Sequence, residues 1–347
     1  MPRCPRPAYA RRGWRRARGG GCGPRNAAGA GPRGPASGRR KNARPDRAWA
    51  RRCPLGTLLA RLRHRINGPR AVTQGITTDF SRKMSYGDYL KLDQLLGAQE
   101  PLSGEHDEML FICIHHVQEI WLKLLNHELE LAMRCIREDQ LRPAFKAMAR
   151  AGRIQGQLIG AWDVLATMTP HDYLAFRDKL GSSSGFQSWQ YRLLEFRLGA
   201  KDEFMLKPHA HRPDLLGVLE KAMAEPSIYD ETLRLLARRG LPVPAEVLER
   251  DLTKPHQENE AVTAIWTGIY EGAEEGFDLY ELAEELVDLE DAFQTWRFRH
   301  MRTVERIIGY RMGTGGSAGV AYLRQALERR FFPELFEART RIKQPSV

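Results

Sequence analysis

What this chain of 347 residues has little of narrows it first. It holds five cysteines: Cys4, Cys22 and Cys53 near the amino terminus, then Cys113 and Cys135, with no CxxC pair. Neither a zinc site nor a disulfide framework is indicated, and a reducing cytoplasm is the expected compartment. No run of about 18 apolar residues occurs, the length a membrane-spanning helix needs. Strand-like alternation, hairpin dipeptides between apolar runs and internal repeats are all missing, which excludes sheet and solenoid readings. Acid is nearly absent from the first 70 residues, where 20 Lys and Arg face Asp46 alone.

That local imbalance creates the overall net charge of +11, because the other residues carry 34 basic against 42 acidic side chains. A nucleic-acid or anionic-surface partner, the usual implication of basic charge, is therefore an argument about the first 70 residues only. Their Arg, Gly, Pro and Ala cannot bury enough apolar surface to offset chain entropy, so residues 1–76 are expected to be a disordered extension. Their Pro and Gly spacing forbids the amphipathic helix of a transit peptide, and there is no apolar core of a secretory signal. An RNA-binding tail is the functional alternative. Since Met84 is the next methionine after Met1, a translated upstream segment with little function is the reading adopted.

Residues 77–347 read as a single all-α domain, with a small helical insertion at about 210–250. The pattern centres on one long helix. Leu282, Leu286, Leu289, Phe293, Trp296, His300, Val304 and Ile307 recur every three or four residues as one apolar stripe. His300 stands in that stripe where a hydrocarbon is expected. A buried imidazole must find a hydrogen-bond partner, a metal or a cofactor, since leaving it unsatisfied costs roughly 1–3 kcal/mol. A bonded core histidine and an axial haem ligand both satisfy this, and local pattern does not choose.

A second long helix, Glu105 to Glu138, carries Leu110, Ile114, Val117, Trp121, Leu125 and Leu129, with Phe111 and His115 one turn apart on a shared face. A third covers 141–168. Thr169-Pro170 is a helix start, and the helix it opens presents Tyr173 and Arg177 at i and i+4. Arg177 is either a solvated surface charge or a bidentate grip on a carboxylate. Tyr86, Tyr89 and Leu90 form an apolar patch that packs on its own domain or reaches a neighbouring subunit. Gly313-Thr314-Gly315-Gly316 follows a helix and lacks the P-loop lysine. No histidine has Glu three positions before it, as di-iron bundles require, and no HExxH occurs. If a cofactor is bound, a single-histidine haem is compatible.

Phe111-x-x-x-His115, Tyr173-x-x-x-Arg177 followed by Gly-Ser-Ser-Ser-Gly-Phe-Gln-Ser, and Trp296-Arg297-Phe298-Arg299-His300 running on to Gly313-Thr314-Gly315-Gly316-Ser317 resemble the tryptophan 2,3-dioxygenases. The likeness extends from Asp79 to Arg341. His116 departs from it, since glutamine commonly follows the pocket histidine. The resemblance implies an all-helical homotetramer with one haem b per subunit, active as Fe(II). Such enzymes cleave the indole C2–C3 bond of L-tryptophan with O2, giving N-formyl-L-kynurenine as the first step of tryptophan degradation. By that likeness His300 ligates the iron, and Ser184 and Gly313 also lie at the cofactor. His115 meets the indole N–H, and Phe111 and Ile112 pack at the substrate. Tyr173 lines the pocket, Arg177 holds the carboxylate and Thr314 the ammonium, while Tyr86, Tyr89 and Leu90 come from a neighbouring subunit. Neither a membrane nor a nucleic acid is an expected partner. The rivals are a helical binding protein whose basic tail engages nucleic acid, and a related indole oxygenase.

Overall fold

The computed structural model describes residue 73 and residues 75–272 and 276–343. The extension expected over residues 1–76 falls almost wholly outside them. Two units divide the chain, Met1–Lys83 and Met84–Val347, and the second carries the fold described here. Among the described residues there are thirteen α-helices, three 3₁₀ turns and no strand, so the all-α expectation holds.

Three long helices form the frame: α3 (His106–Arg137), α4 (Leu141–Leu165) and α11 (Phe277–Ile308). Acids at the start of α3 (Asp107, Glu108) and arginines at its end (Arg134, Arg137) complement the helix dipole. Small side chains at Ala144, Ala147 and Ala151 let α4 approach its neighbours closely. Against them pack Leu125, Leu129 and Ile136 of α3 and Leu282, Leu286 and Phe293 of α11, all essentially without solvent exposure. Each fully buried Leu, Ile or Phe contributes about 1.5–3 kcal/mol of transfer free energy. Val117 breaks the anticipated α3 stripe and is exposed. The buried face turns at that point through Gln118 and Leu122, because α3 also packs on α6 (Trp189–Leu198).

Shorter elements close the frame. Before α3 lie α1 (Tyr86–Leu90) and α2 (Leu92–Leu96). The helix α4 stops three residues before the expected Met168, because residue 169 precedes a proline and takes extended geometry. Thr169 then caps α5 (Pro170–Phe176): its hydroxyl accepts from the Asp172 N–H, and the Asp172 carboxylate accepts from the Thr169 N–H at 2.9 Å. The region expected as one insertion divides between two cores. In it, α7 (Pro213–Ala224) joins Leu193, Phe196 and Met205 in a small second cluster. By contrast, α8 (Ile228–Arg238) contributes Ile228, Tyr229 and Leu233 to the main core. After α9 (Ala245–Leu248) and α10 (Glu260–Glu271) comes α11, then α12 (Val320–Leu327) and α13 (Pro333–Arg341). Buried Glu290 accepts from the Phe331 and Phe332 N–H groups at 3.2 and 3.0 Å, which fixes both rings in the core before α13 begins.

Candidate active site

One cavity of about 510 Å³ opens between α3, α4, α6 and α11, roofed by the loops after α5 and after α11. That volume is in the range of small-molecule and cofactor sites, roughly 300–1,000 Å³. Phe111, His115, Tyr173, Ser184, His300, Gly313 and Thr314 all line it. Residues from 111 to 314 thus converge on one space.

His115 Nδ1 lies 2.7 Å from the Phe111 carbonyl oxygen one helical turn back. A carbonyl only accepts, so Nδ1 carries the proton and Nε2 keeps its lone pair. Burial pushes this histidine below its ordinary pKa, opposed in part by the bond to Phe111. The ring is therefore a neutral acceptor. The Phe111 ring packs on it at 4.1 Å and reaches Tyr173 at 6.0 Å and Phe176 at 5.6 Å.

His300 behaves differently. It has no hydrogen-bond partner among the described residues, and its ring stacks on the Trp162 indole at 4.5 Å with Trp296 tilted beside it. Burial, with a smaller push from His115, lowers its pKa to about 4. A neutral imidazole with no internal acceptor or donor leaves a nitrogen lone pair for something placed in the cavity.

The two glycine-bearing loops lock together over this space. Thr314 donates its hydroxyl proton to the Ser183 carbonyl at 2.5 Å. A Cβ at residue 315 would meet Ser184 Cβ at 2.8 Å, so only glycine permits the approach. Arg177 donates to the Met312 carbonyl at 2.7 Å. Gly181-Ser182-Ser183-Ser184-Gly185 spells the G-x-S-x-G pattern of hydrolases, but that elbow requires a preceding strand. Here a 3₁₀ turn precedes it, and the Ser183 hydroxyl is spent on the Leu180 carbonyl.

Not every expected residue reaches the cavity wall. Ile112 and Arg177 stand outside the lining, although Arg177 tethers the loop after α11. Tyr86, Tyr89 and Leu90 are 75%, 73% and 40% exposed on α1, away from any lining position.

The wall also holds a charged corner that sequence reasoning missed. Arg297 donates to Glu195 at 2.7 Å and to the Ala326 carbonyl at 2.9 Å, and Arg192 pairs with the other Glu195 oxygen. Burial opposes the charge on Glu195, yet the two guanidiniums outweigh it and hold the carboxyl below its usual range. Glu119 stands on the same cavity wall, so the two guanidiniums and the two carboxylates of the lining balance. The available signal was Tyr191-Arg192-Leu193-Leu194-Glu195-Phe196, a helix with apolar residues all around its charges.

The profile of the family described as Tryptophan 2,3-dioxygenase matches residues 71–269 and 263–342. Individual relatives agree. The tryptophan 2,3-dioxygenase of Polaromonas naphthalenivorans is 59% identical over 262 residues, 76% of this chain and 93% of that protein. The Bordetella pertussis protein of the same name is 56% identical, over 76% of this chain and 92% of its own length. That of Bacillus thuringiensis is 51% identical over 269 residues, 78% of this chain and 96% of its own. On the cavity and on these matches together, the chain belongs to the tryptophan 2,3-dioxygenase family.

Proposed function

We propose that this protein opens the indole ring of L-tryptophan between C2 and C3 with O2, yielding N-formyl-L-kynurenine, the first step of tryptophan degradation. The observation that carries the reading is the pair of neutral histidines on one cavity, His115 with a defined acceptor nitrogen and His300 with no hydrogen-bond partner among the described residues. Haem b, one per subunit and ferrous when active, is the cofactor that fits them. A lone unpaired imidazole suits a metal that brings its other ligands with it. His300 would hold the iron, with Ser184 and Gly313 beside the macrocycle. When bound, the haem supplies the activation of dioxygen.

The remaining work falls to the chain's own side chains. His115 Nε2 accepts the indole N–H, and its bond to Phe111 keeps the ring in the tautomer that can do so. Phe111 and Ile112 pack at the indole and exclude water. Arg177 spends one donor on Met312 and leaves others for the substrate carboxylate. The Thr314 proton is committed to Ser183, so its oxygen is an acceptor for the substrate ammonium. A zwitterion in an apolar pocket needs both charges met in this way.

The same reading makes the protein a homotetramer in which Tyr86, Tyr89 and Leu90 reach a neighbouring subunit's pocket. Their exposure on a short helix supports it, and sedimentation equilibrium tests it. The free thiols of Cys113 and Cys135 suit a reducing cytoplasm. For the reaction, the test is the visible spectrum of the purified protein, then tryptophan added to the reduced, aerated sample. A Soret band followed by growth of formylkynurenine absorbance is expected; a colourless or inert protein refutes the proposal.

A further inference from the structure

Behind the wall of the large cavity lies a second, far smaller void between α3, α4, α6 and α11, which leaves the centre of a water-sized sphere about 10 Å³ in which to move. Leu125, Gln155, Leu158, Leu194 and Phe293 line it, together with Leu122, Tyr191 and Trp296, which also line the large cavity. All of these but the half-buried Tyr191 are at least nine-tenths buried. One layer of side chains therefore separates the two spaces.

The size admits one small molecule, and the chemistry of the wall says which kind. A water needs room of at least roughly 10–15 Å³ and two to four polar partners. Two polar atoms on the surrounding residues, Gln155 Oε1 and Trp296 Nε1, are buried without partners. Neither reaches the surface of the void, which is wholly apolar. A water inside would forfeit its hydrogen bonds, at about 1–3 kcal/mol for each group left unsatisfied. An apolar diatomic loses nothing by entering, and its two short-bonded atoms fit the space. Packed interiors hold few voids of this size, and this one sits beside the cavity.

We propose that this void is a docking site for dioxygen, held one side-chain layer from the cavity in which the indole is oxidised. Its role as a store of co-substrate rests on the dioxygenase reading; its affinity for an apolar gas does not. Rotation of the Leu122 or Trp296 side chain would pass the gas between the two spaces, with no bond made or broken.

The direct test uses crystals of the full chain pressurised with xenon. Density for xenon between Leu125, Leu158 and Phe293 is expected. An empty void at saturating pressure, or an ordered water in it, overturns the proposal. Steady-state kinetics give the second arm. Leu158→Phe fills the void from a position that does not line the large cavity, so KM for dioxygen should rise several-fold while KM for tryptophan stays put. An unchanged KM for dioxygen in a folded variant that has lost the xenon site removes the role in turnover. If wild-type protein binds xenon but turns over no tryptophan, the dioxygenase reading fails and the gas site stands.

Discussion

The Trp162 indole lies almost parallel to the His300 imidazole, 4.5 Å between ring centroids and 13° between planes. With no hydrogen bond to orient it, His300 takes its direction from this stack and from Trp296. Aromatic pairs of this kind are worth about 0.5–1.5 kcal/mol beyond their buried area. Trp162→Leu should therefore leave the fold intact and release haem roughly two- to tenfold faster. Transfer of haem to excess apomyoglobin measures that rate, and Trp162→Phe should recover most of the loss.

His300→Ala separates ligation from folding. The side chain makes no hydrogen bond, so its removal strands no buried partner. Far-UV circular dichroism should be unchanged while the Soret band is lost. A variant that keeps the wild-type Soret spectrum would remove His300 from the iron.

Much of this site was legible in the sequence because periodicity and resemblance both pointed to it. The imidazole at position 300 interrupts a hydrocarbon stripe, and Phe111 and His115 share a face by spacing alone. The charged corner was not legible. Glu195 and Arg297 are 102 residues apart and meet only through the packing of α6 on α11. Local pattern treats charged residues on helices as solvated, and only tertiary burial overrides that. The stack of Trp162 on His300 depends on how α4 crosses α11. Arg177 shows the opposite limit: its i, i+4 relation to Tyr173 was plain, whereas its bond to Met312, 135 residues on, required the fold.

His115 sets the acid limb. Burial lowers its pKa below the ordinary value near 6.5, so at neutral pH it is unprotonated and Nε2 accepts. Protonation would convert that acceptor into a donor facing another N–H. The catalytic efficiency of the wild type should hold level as pH falls through 6.5 and decline only below it. His115→Ala should lose rate without losing all of it, because the N–H contact orients the substrate, and should flatten the acid limb. Measuring kcat/KM from pH 5 to 8 for both proteins checks the two expectations together.

Arg177 tests carboxylate recognition. Truncating one side of a hydrogen-bonded charge pair costs about 2–5 kcal/mol, or roughly thirty- to several-thousand-fold in kcat/KM. Arg177→Ala should fall in that range with tryptophan and much less with an indole lacking the carboxylate. Lysine lacks the planar fork, so Arg177→Lys should restore only part of the loss. Equal efficiency of Arg177→Ala and wild type on tryptophan would leave this arginine a loop tether only.

Glu195 and Asp214 make a controlled contrast in stability. Both carboxyls are held below their usual range by arginine, but Asp214 is exposed beside Arg212 whereas Glu195 is buried between Arg192 and Arg297. Removing the Glu195 charge strands two cations in the wall, and breaking a buried pair costs about 3–5 kcal/mol. Glu195→Ala should thus unfold at clearly lower urea, while Asp214→Ala should match the wild type, as exposed pairs add little. The pH dependence has a definite sign. A carboxyl whose folded pKa is depressed contributes stability above its unfolded value, and that contribution is lost as pH falls through the folded one. The stability gap between wild type and Glu195→Ala should be full at neutral pH and close in acid below the ordinary glutamate range. Urea titrations at several pH values would measure it; a gap that persists unchanged into strong acid would mean that packing, not charge, is what Glu195 supplies.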